Sequence, residues 1–274
     1  MSRPATLSPP AALSPVAALV RRHDPDRFLT ALFAPAARRE VLFTLYAFNH
    51  ELARAREVVS EPMLALIRLQ WWREVVQGAA RRHEVATPLA AAIAQGLLLP
   101  ADLLAMIDGR EAEAEPAIPD RAAWHAYLAA TGGAAMAAAG RALGADAAML
   151  ARLRHLGAAH ALAGQLRNLP ALARAGRVLL PQDVLGAHGL TVHDITAGRG
   201  AEKLRAALGE LAAEGRAALA GRRTALPRAV IAAALPAVLA RRDLARATPA
   251  AQPPGGRLLG DRLAVLAAWL RGRV

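Results

Sequence analysis

The stretch LYAFNHELARAREVVSEP, residues 45–62, decides how this chain is read. Leu45, Phe48, Leu52 and Ala55 recur at three- and four-residue steps, which is one apolar stripe of an α-helix. Beside that stripe run Asn49, Ala53, Arg56 and Ser60, flanked by His50, Arg54 and Glu57. The polar face is either the wet side of a surface helix or the wall of a site. The rest of the sequence has to decide between them.

Working outward, the punctuation is helical throughout. Pro35 opens the helix that carries the quoted stretch to about Val59, and Ser60, Glu61 and Pro62 start the next, MLALIRLQWWREVVQGAARR. Upstream, Asp24 followed by Pro25 reads as an N-cap with proline at the first helical position. Downstream, Thr87-Pro88 opens a short helix closed by Gly96, and Pro100-Ala101-Asp102 opens another. Long segments follow from Pro119 to about Leu143 and from Ala147 to about Asn168, where Pro170 is expected to stop the helix. A turn-rich passage with a short helix after Pro181 leads to three more helices, near 194–220, 227–246 and 258–271. ATPAAQPPGG separates the last two as a loop.

Composition agrees. Alanine and leucine fill an apolar quota of 55%, aromatics are 4%, and strand-forming β-branched residues are few. The class is all-α. With 274 residues and neither an internal repeat nor a composition break, the chain reads as a Pro/Ser-rich disordered lead over 1–15 and one helical domain over 16–274.

The net charge of +12 is almost all arginine, since Lys203 is the only lysine. The arginines are spread rather than blocked and lack interleaved aromatics, so nucleic acid is not the expected partner. An anionic membrane surface and a diphosphate-type ligand stay open, with general solubility plus weak membrane attraction the plainest account. The chain has no cysteine, hence no disulfide or thiolate metal site. The N-terminus lacks the pattern of a secretory signal. The longest apolar run, AVIAAALPAVLA from Ala229, has 12 residues and contains Pro236, too short to span a bilayer. The chain reads as soluble or peripheral; together with the resemblance described below, the expected location is cytoplasmic, with peripheral contact to the inner membrane.

Residues able to carry chemistry are sparse. The eight histidines lack zinc-helix spacing, and there is no phosphate loop of the strand–glycine–helix type. In Trp71-Trp72 adjacent positions point about 100° apart, so one ring is core and the other packs at a groove or interface. Of 22 acids, fifteen lie at or before Asp146 and none follows until Asp183. Within that gap Gln165 and Asn168 are one turn apart and share a face.

FLTALFAPAARREVLFTLYAF, MIDGRE from Met106 to Glu111, and GQLRN followed by GRVLLPQD together resemble the squalene/phytoene synthase family. The resemblance covers roughly residues 20–190 and implies the single-domain helical isoprenoid synthase fold. It also implies two facing acidic turns that hold Mg²⁺ against the diphosphate of an isoprenoid substrate, because magnesium prefers oxygen ligands and bridges phosphate oxygens. Both turns are altered here. At the first the chain reads Asn49, Ala53 and Arg54, with Glu57 the one remaining carboxylate. The second is framed by Gln165, Asn168 and Arg177 with no acid between.

AFNHELARAREVVSEPMLALIRLQWWREVV further resembles a subgroup that keeps the fold with a degenerate site. Its eukaryotic representative is a mitochondrial assembly factor for respiratory complex I. The features are Asn49, Glu51, Leu52 and Ala53, then Val59-Ser60-Glu61, then Arg68, Gln70, Trp71 and Trp72. What this implies is a non-catalytic protein without a cofactor or metal, whose partners are respiratory-complex assembly proteins or subunits, or an anionic or isoprenoid lipid at the membrane surface. Arg54, Arg56, Arg167 and Arg177 are the candidate anion-binding cations. The rival reading is an active prenyl transferase in which Asp108 and Glu111, flanking Arg110 in the middle segment, join Glu57 in a relocated Mg²⁺ site; the ordinary reading of Asp108 and Glu111 is hydrogen bonding to neighbouring helices. A third reading is a helical interaction module with no working pocket.

Overall fold

The computed structural model describes residues 12–59, 61–220, 225–246 and 257–274. Among them the chain forms α-helices and one π-helical turn, and two isolated bridges but no strand. The all-α reading holds.

Prolines and short polar caps set the starts. Ser14 accepts from the Ala17 amide to open α1 (Pro15–His23), and Asp24 accepts from Arg27 to open α2 (Pro25–Ala31). Then come α3 (Ala36–Glu57), α4 (Pro62–Val76), α5 (Ala86–Ala94) and α6 (Pro100–Glu111). Residues 1–11 of the expected lead, Ser60 and the 247–256 loop lie outside the described residues, and α1 occupies ground where no helix was expected.

The segment from Pro119 is not one helix. Asp120 caps α7 (Arg121–Leu128), a π turn follows over Ala129–Gly133, and α8 (Ala134–Ala142) continues it. The π turn lies against α9 (Ala147–Arg174), the long central helix. A Cβ on Gly157 of α9 would overlap the carbonyl oxygen of Gly132, so the two backbones meet only because both positions are glycine. α8 has alanine on nearly every side and is buried almost all round, which lets α3 and α9 approach it closely.

α9 does not stop at Pro170. It runs to Arg174 with the proline inside it, although the proline ring has no N–H to give to the Leu166 carbonyl. Leu162, Leu166 and Leu169 are buried along the same helix and hold it in place past the defect. Its end is set by Gly176, left-handed at φ 73°, after which the Arg177 amide closes on the Leu172 carbonyl.

The remaining helices are α10 (Gln182–Ala187), α11 (Val192–Thr196), α12 (Ala201–Leu219), α13 (Ile231–Ala234), α14 (Pro236–Arg246) and α15 (Leu259–Arg271). The helix expected near 194–220 is split, because Gly198 and Gly200 take left-handed φ values of 69° and 70°. α12 and α14 pack on α9, while α1, α4 and α5 pack on α3. Trp72 is core, edge-on to Phe48, and Trp71 stays partly exposed. α3 and α9 stand as walls of one cavity.

Candidate functional site

That cavity has a volume of about 1350 Å³. Asn49, His50, Ala53, Arg56 and Glu57 line it from α3. Gln165, Arg167, Asn168, Ala171, Leu172 and Ala175 line it from α9. The helical period explains this, since 49, 53, 56 and 57 fall on one face, as do 165, 168 and 172. The continuation of α9 past Pro170 is what extends the second wall.

Its charges form two clusters. The first centres on Glu113, which is buried just after α6. Glu113 accepts from Arg110 at 2.5 Å, from the Tyr127 hydroxyl at 2.7 Å and from Arg177 at 3.3 Å. Arg110 also reaches the Asn49 side-chain oxygen at 3.4 Å. Gln165 is oriented by the Trp124 indole N–H, 2.6 Å from its oxygen. Burial, followed by the charge of Glu113, pushes the Glu57 carboxyl up, against the opposing pull of Arg177, Arg110 and Arg54. Two guanidiniums of the lining, Arg110 and Arg177, thus stand with two carboxylates, Glu57 and Glu113, while Arg56 donates to the Val59 carbonyl at 2.7 Å.

The second cluster is a closed network. Arg257 bonds Asp26 and Asp243, each at 2.5 Å, and Arg167 bonds the same two at 3.1 and 2.9 Å. Beside it Asp261 accepts from Arg242 at 2.5 Å and Arg246 at 2.6 Å. Burial alone would raise the Asp26 carboxyl, but the Arg257 hydrogen bond and the charges of Arg167 and Arg257 hold it at about 2. His160 faces the cavity without a hydrogen-bond partner for Nδ1 among the described residues. Burial, then the charge of Arg27, push its imidazole down to about 3.

The candidate residues therefore separate. Asn49, Ala53, Glu57, Arg110, Gln165, Asn168 and Arg177 come together around the cavity. Arg54 does not line it and pairs with Glu51 at 3.3 Å. Asp108 and Glu111 are also outside the lining: both grip Arg73 of α4, each at 2.6 Å. They do not join Glu57, because position 110 and positions 108 and 111 project to different sides of α6. Arg167 lines the cavity but is committed to Asp26 and Asp243. Glu113, Tyr127, His160, Asp26, Asp243, Asp261 and Arg257 are lining residues that sequence reasoning missed.

The donor set does not suit Mg²⁺. Facing Ala53 and Glu57, the α9 wall beyond Asn168 offers Ala171, Leu172 and Ala175. Among the described residues no three side chains of the metal-binding types gather to hold an ion. The carboxylates of both clusters already face guanidiniums, which would repel a cation. What the arrangement does offer is a polar cavity with arginines and amides on walls of fixed geometry.

Comparison with known proteins gives a consistent picture. The squalene/phytoene synthase family model matches residues 20–254. A dehydrosqualene synthase solved in complex with ligand superposes with a TM-score of 0.74 at 14% identity, over 93% of this chain and 94% of that one. Squalene synthase HpnC from Alicyclobacillus acidocaldarius gives a TM-score of 0.65 at 19% identity, over 84% and 90%. At such identities these likenesses bear on the fold alone. By sequence, the NADH dehydrogenase (ubiquinone) complex I assembly factor 6 of Homo sapiens is 41% identical over 59 residues, 22% of this chain and 18% of that protein. The Bos taurus protein is 35% identical over 97 residues, 34% and 29%. The matched part spans less than a third of these relatives.

Proposed function

The chain belongs to the squalene/phytoene synthase family, and from that premise we propose that it is a non-catalytic member that assists assembly of respiratory complex I. Residues 16–274 form its working domain, behind a lead over 1–15. It uses no metal or cofactor. Its cavity binds an assembly partner or an anionic or isoprenoid lipid, at the membrane surface on the cytoplasmic side. The observation that carries this is the make-up of the facing walls: Asn49 and Ala53 with the single carboxylate Glu57 on α3, and Ala171, Leu172 and Ala175 on α9. A transferase that ionises a diphosphate needs its leaving group neutralised, and these walls supply no ligand shell to do so. The resemblance of residues 45–72 to the complex I assembly factor supplies the setting. Among the described residues no helix is long and apolar enough to cross a membrane, which is compatible with a peripheral role.

The test is genetic. Deleting the gene in its source organism is expected to lower the amount of assembled complex I on native gels and its NADH oxidation, with rescue by the wild-type chain. Unchanged complex I would defeat the assembly role.

A further inference from the structure

The exposed large hydrophobic side chains fall mostly into two groups, and each adjoins a lining residue of the cavity in sequence. One lies where α3 hands over to α4: Val58, Met63, Leu64 and Ile67, with Met63 63% and Ile67 58% exposed. The other is a stripe along α15, Leu259, Leu263, Leu266 and Leu270, at steps of four, three and four residues. Leu259 is 72% exposed and Leu263 53%, while the opposite side of α15 buries Asp261, Val265 and Ala268. Val59 and Leu258, at the near ends of the two groups, line the cavity themselves. Two exposed apolar strips thus continue from residues of the cavity lining. Scattered exposed leucines need no explanation, but aligned ones on an amphipathic helix do.

Charge identifies what covers them. Arg21 and Arg22 precede the lining residue His23, Arg174 precedes the lining residue Ala175, and Arg262 follows the lining residue Asp261. All four are exposed. The exposed acids next to the first strip in sequence are Glu57 and Glu61. Leucines on one face of a helix with arginines at their border suit the interface of an anionic bilayer. A bilayer also asks for no shape complementarity between two strips on separate helices.

We propose that the two exposed strips that adjoin the lining in sequence, Met63 and Ile67 after Val59 and Leu259 and Leu263 after Leu258, form a rim that docks on an anionic lipid bilayer. The cavity mouth then faces the lipid. This gives the membrane setting proposed above a surface, but it does not depend on the cavity being inactive. Vesicle binding and diphosphate turnover are separate readouts, so either can fail alone.

The experiment is co-sedimentation of the full chain with phosphatidylcholine vesicles, with and without about 30% phosphatidylglycerol, in roughly 0.15 M salt. Binding is expected to the anionic vesicles and to be weak on phosphatidylcholine alone. Met63→Glu/Ile67→Glu and Leu259→Glu/Leu263→Glu should each lower the partition coefficient about tenfold, with helical circular dichroism and melting temperature unchanged. As a second readout, Leu263→Trp fluorescence should shift to the blue on anionic vesicles and be quenched by brominated lipid. No binding to anionic vesicles overturns the proposal, as does binding that ignores both double variants. A purified protein partner that depends on these leucines while vesicles stay unbound would assign the rim to that partner instead, and also overturns it.

Discussion

The two charged clusters of the cavity use the same residue types to opposite ends. Around Asp26, Asp243 and Asp261 every carboxylate is matched by guanidiniums at hydrogen-bonding distance, tying α2, α9 and α14 to the start of α15. Around Glu57 and Glu113 the matching is incomplete. Glu113 is satisfied by Arg110, Arg177 and Tyr127, while Glu57 stays exposed with its carboxyl pushed up. The first cluster behaves as a fastening of the helices. The second behaves as a surface left available. A carboxylate in this cavity is thus no evidence of metal chemistry; its partners decide what it does.

Breaking the fastening should have the largest effect. Asp243→Asn leaves Arg167 and Arg257 short of a buried counter-charge, and removing one partner of such a network costs about 3–5 kcal/mol. Calorimetry should show a melting temperature lower by roughly 10 °C. A variant that melts like wild type would mean the network adds nothing.

Acid should act next. The pKa values of His160 and Asp26 both lie below their ordinary 6.5 and 3.8, at about 3 and about 2. Their contribution to stability is therefore complete above the ordinary values and is lost as pH falls, for His160 between 6.5 and about 3 and for Asp26 between 3.8 and about 2. The urea midpoint should fall between pH 7 and pH 4, and His160→Gln should flatten that part of the profile. A wild-type midpoint that stays level over this range would contradict the buried neutral imidazole.

The open cluster should respond little. Ala53→Trp projects into the cavity rather than into packed core, so its expected cost is no more than ~1 kcal/mol by urea denaturation. It should nevertheless abolish function in the rescue experiment, which a module without a working pocket would not predict. Glu57→Gln has the smallest expected effect. A raised carboxyl contributes stability below its ordinary pKa and loses it as pH rises through the folded value, so at neutral pH the ionised Glu57 is slightly unfavourable. Neutralising it should be level or stabilising by well under ~1 kcal/mol after solvent screening of this exposed group. A clear loss of stability at pH 7 would place Glu57 with the fastening instead.

Much of this was legible beforehand, for local reasons. The apolar stripe of residues 45–55, the Asp24-Pro25 start and the buried Trp72 follow from helical period and capping, and so did the all-α class. The first wall of the cavity, with Asn49, Ala53 and Glu57, follows from the same period. The second wall was half visible. Proline's intrinsic cost argued for a stop at 170, but packing of Leu166 and Leu169 overrides it and the stop sits at Gly176. The fastening cluster was invisible: Asp26 and Arg257 are 231 residues apart, and no local pattern marks a buried acid that needs a partner so distant. Asp108 and Glu111 follow the ordinary reading of such a pair, bonding to a neighbouring helix, and not the rival metal site. Their spacing is right for a shared ligand, and the ligand they share is Arg73.

The most direct test of the central claim is incubation of the purified chain with farnesyl and geranylgeranyl diphosphate, with and without Mg²⁺, beside an active synthase as control. Pyrophosphate release and hydrocarbon products are followed together. The account predicts neither from this protein at any magnesium concentration at which the control turns over. Magnesium-dependent release of pyrophosphate with a prenyl product would contradict it, and would make Glu57 and Glu113 the first residues to replace.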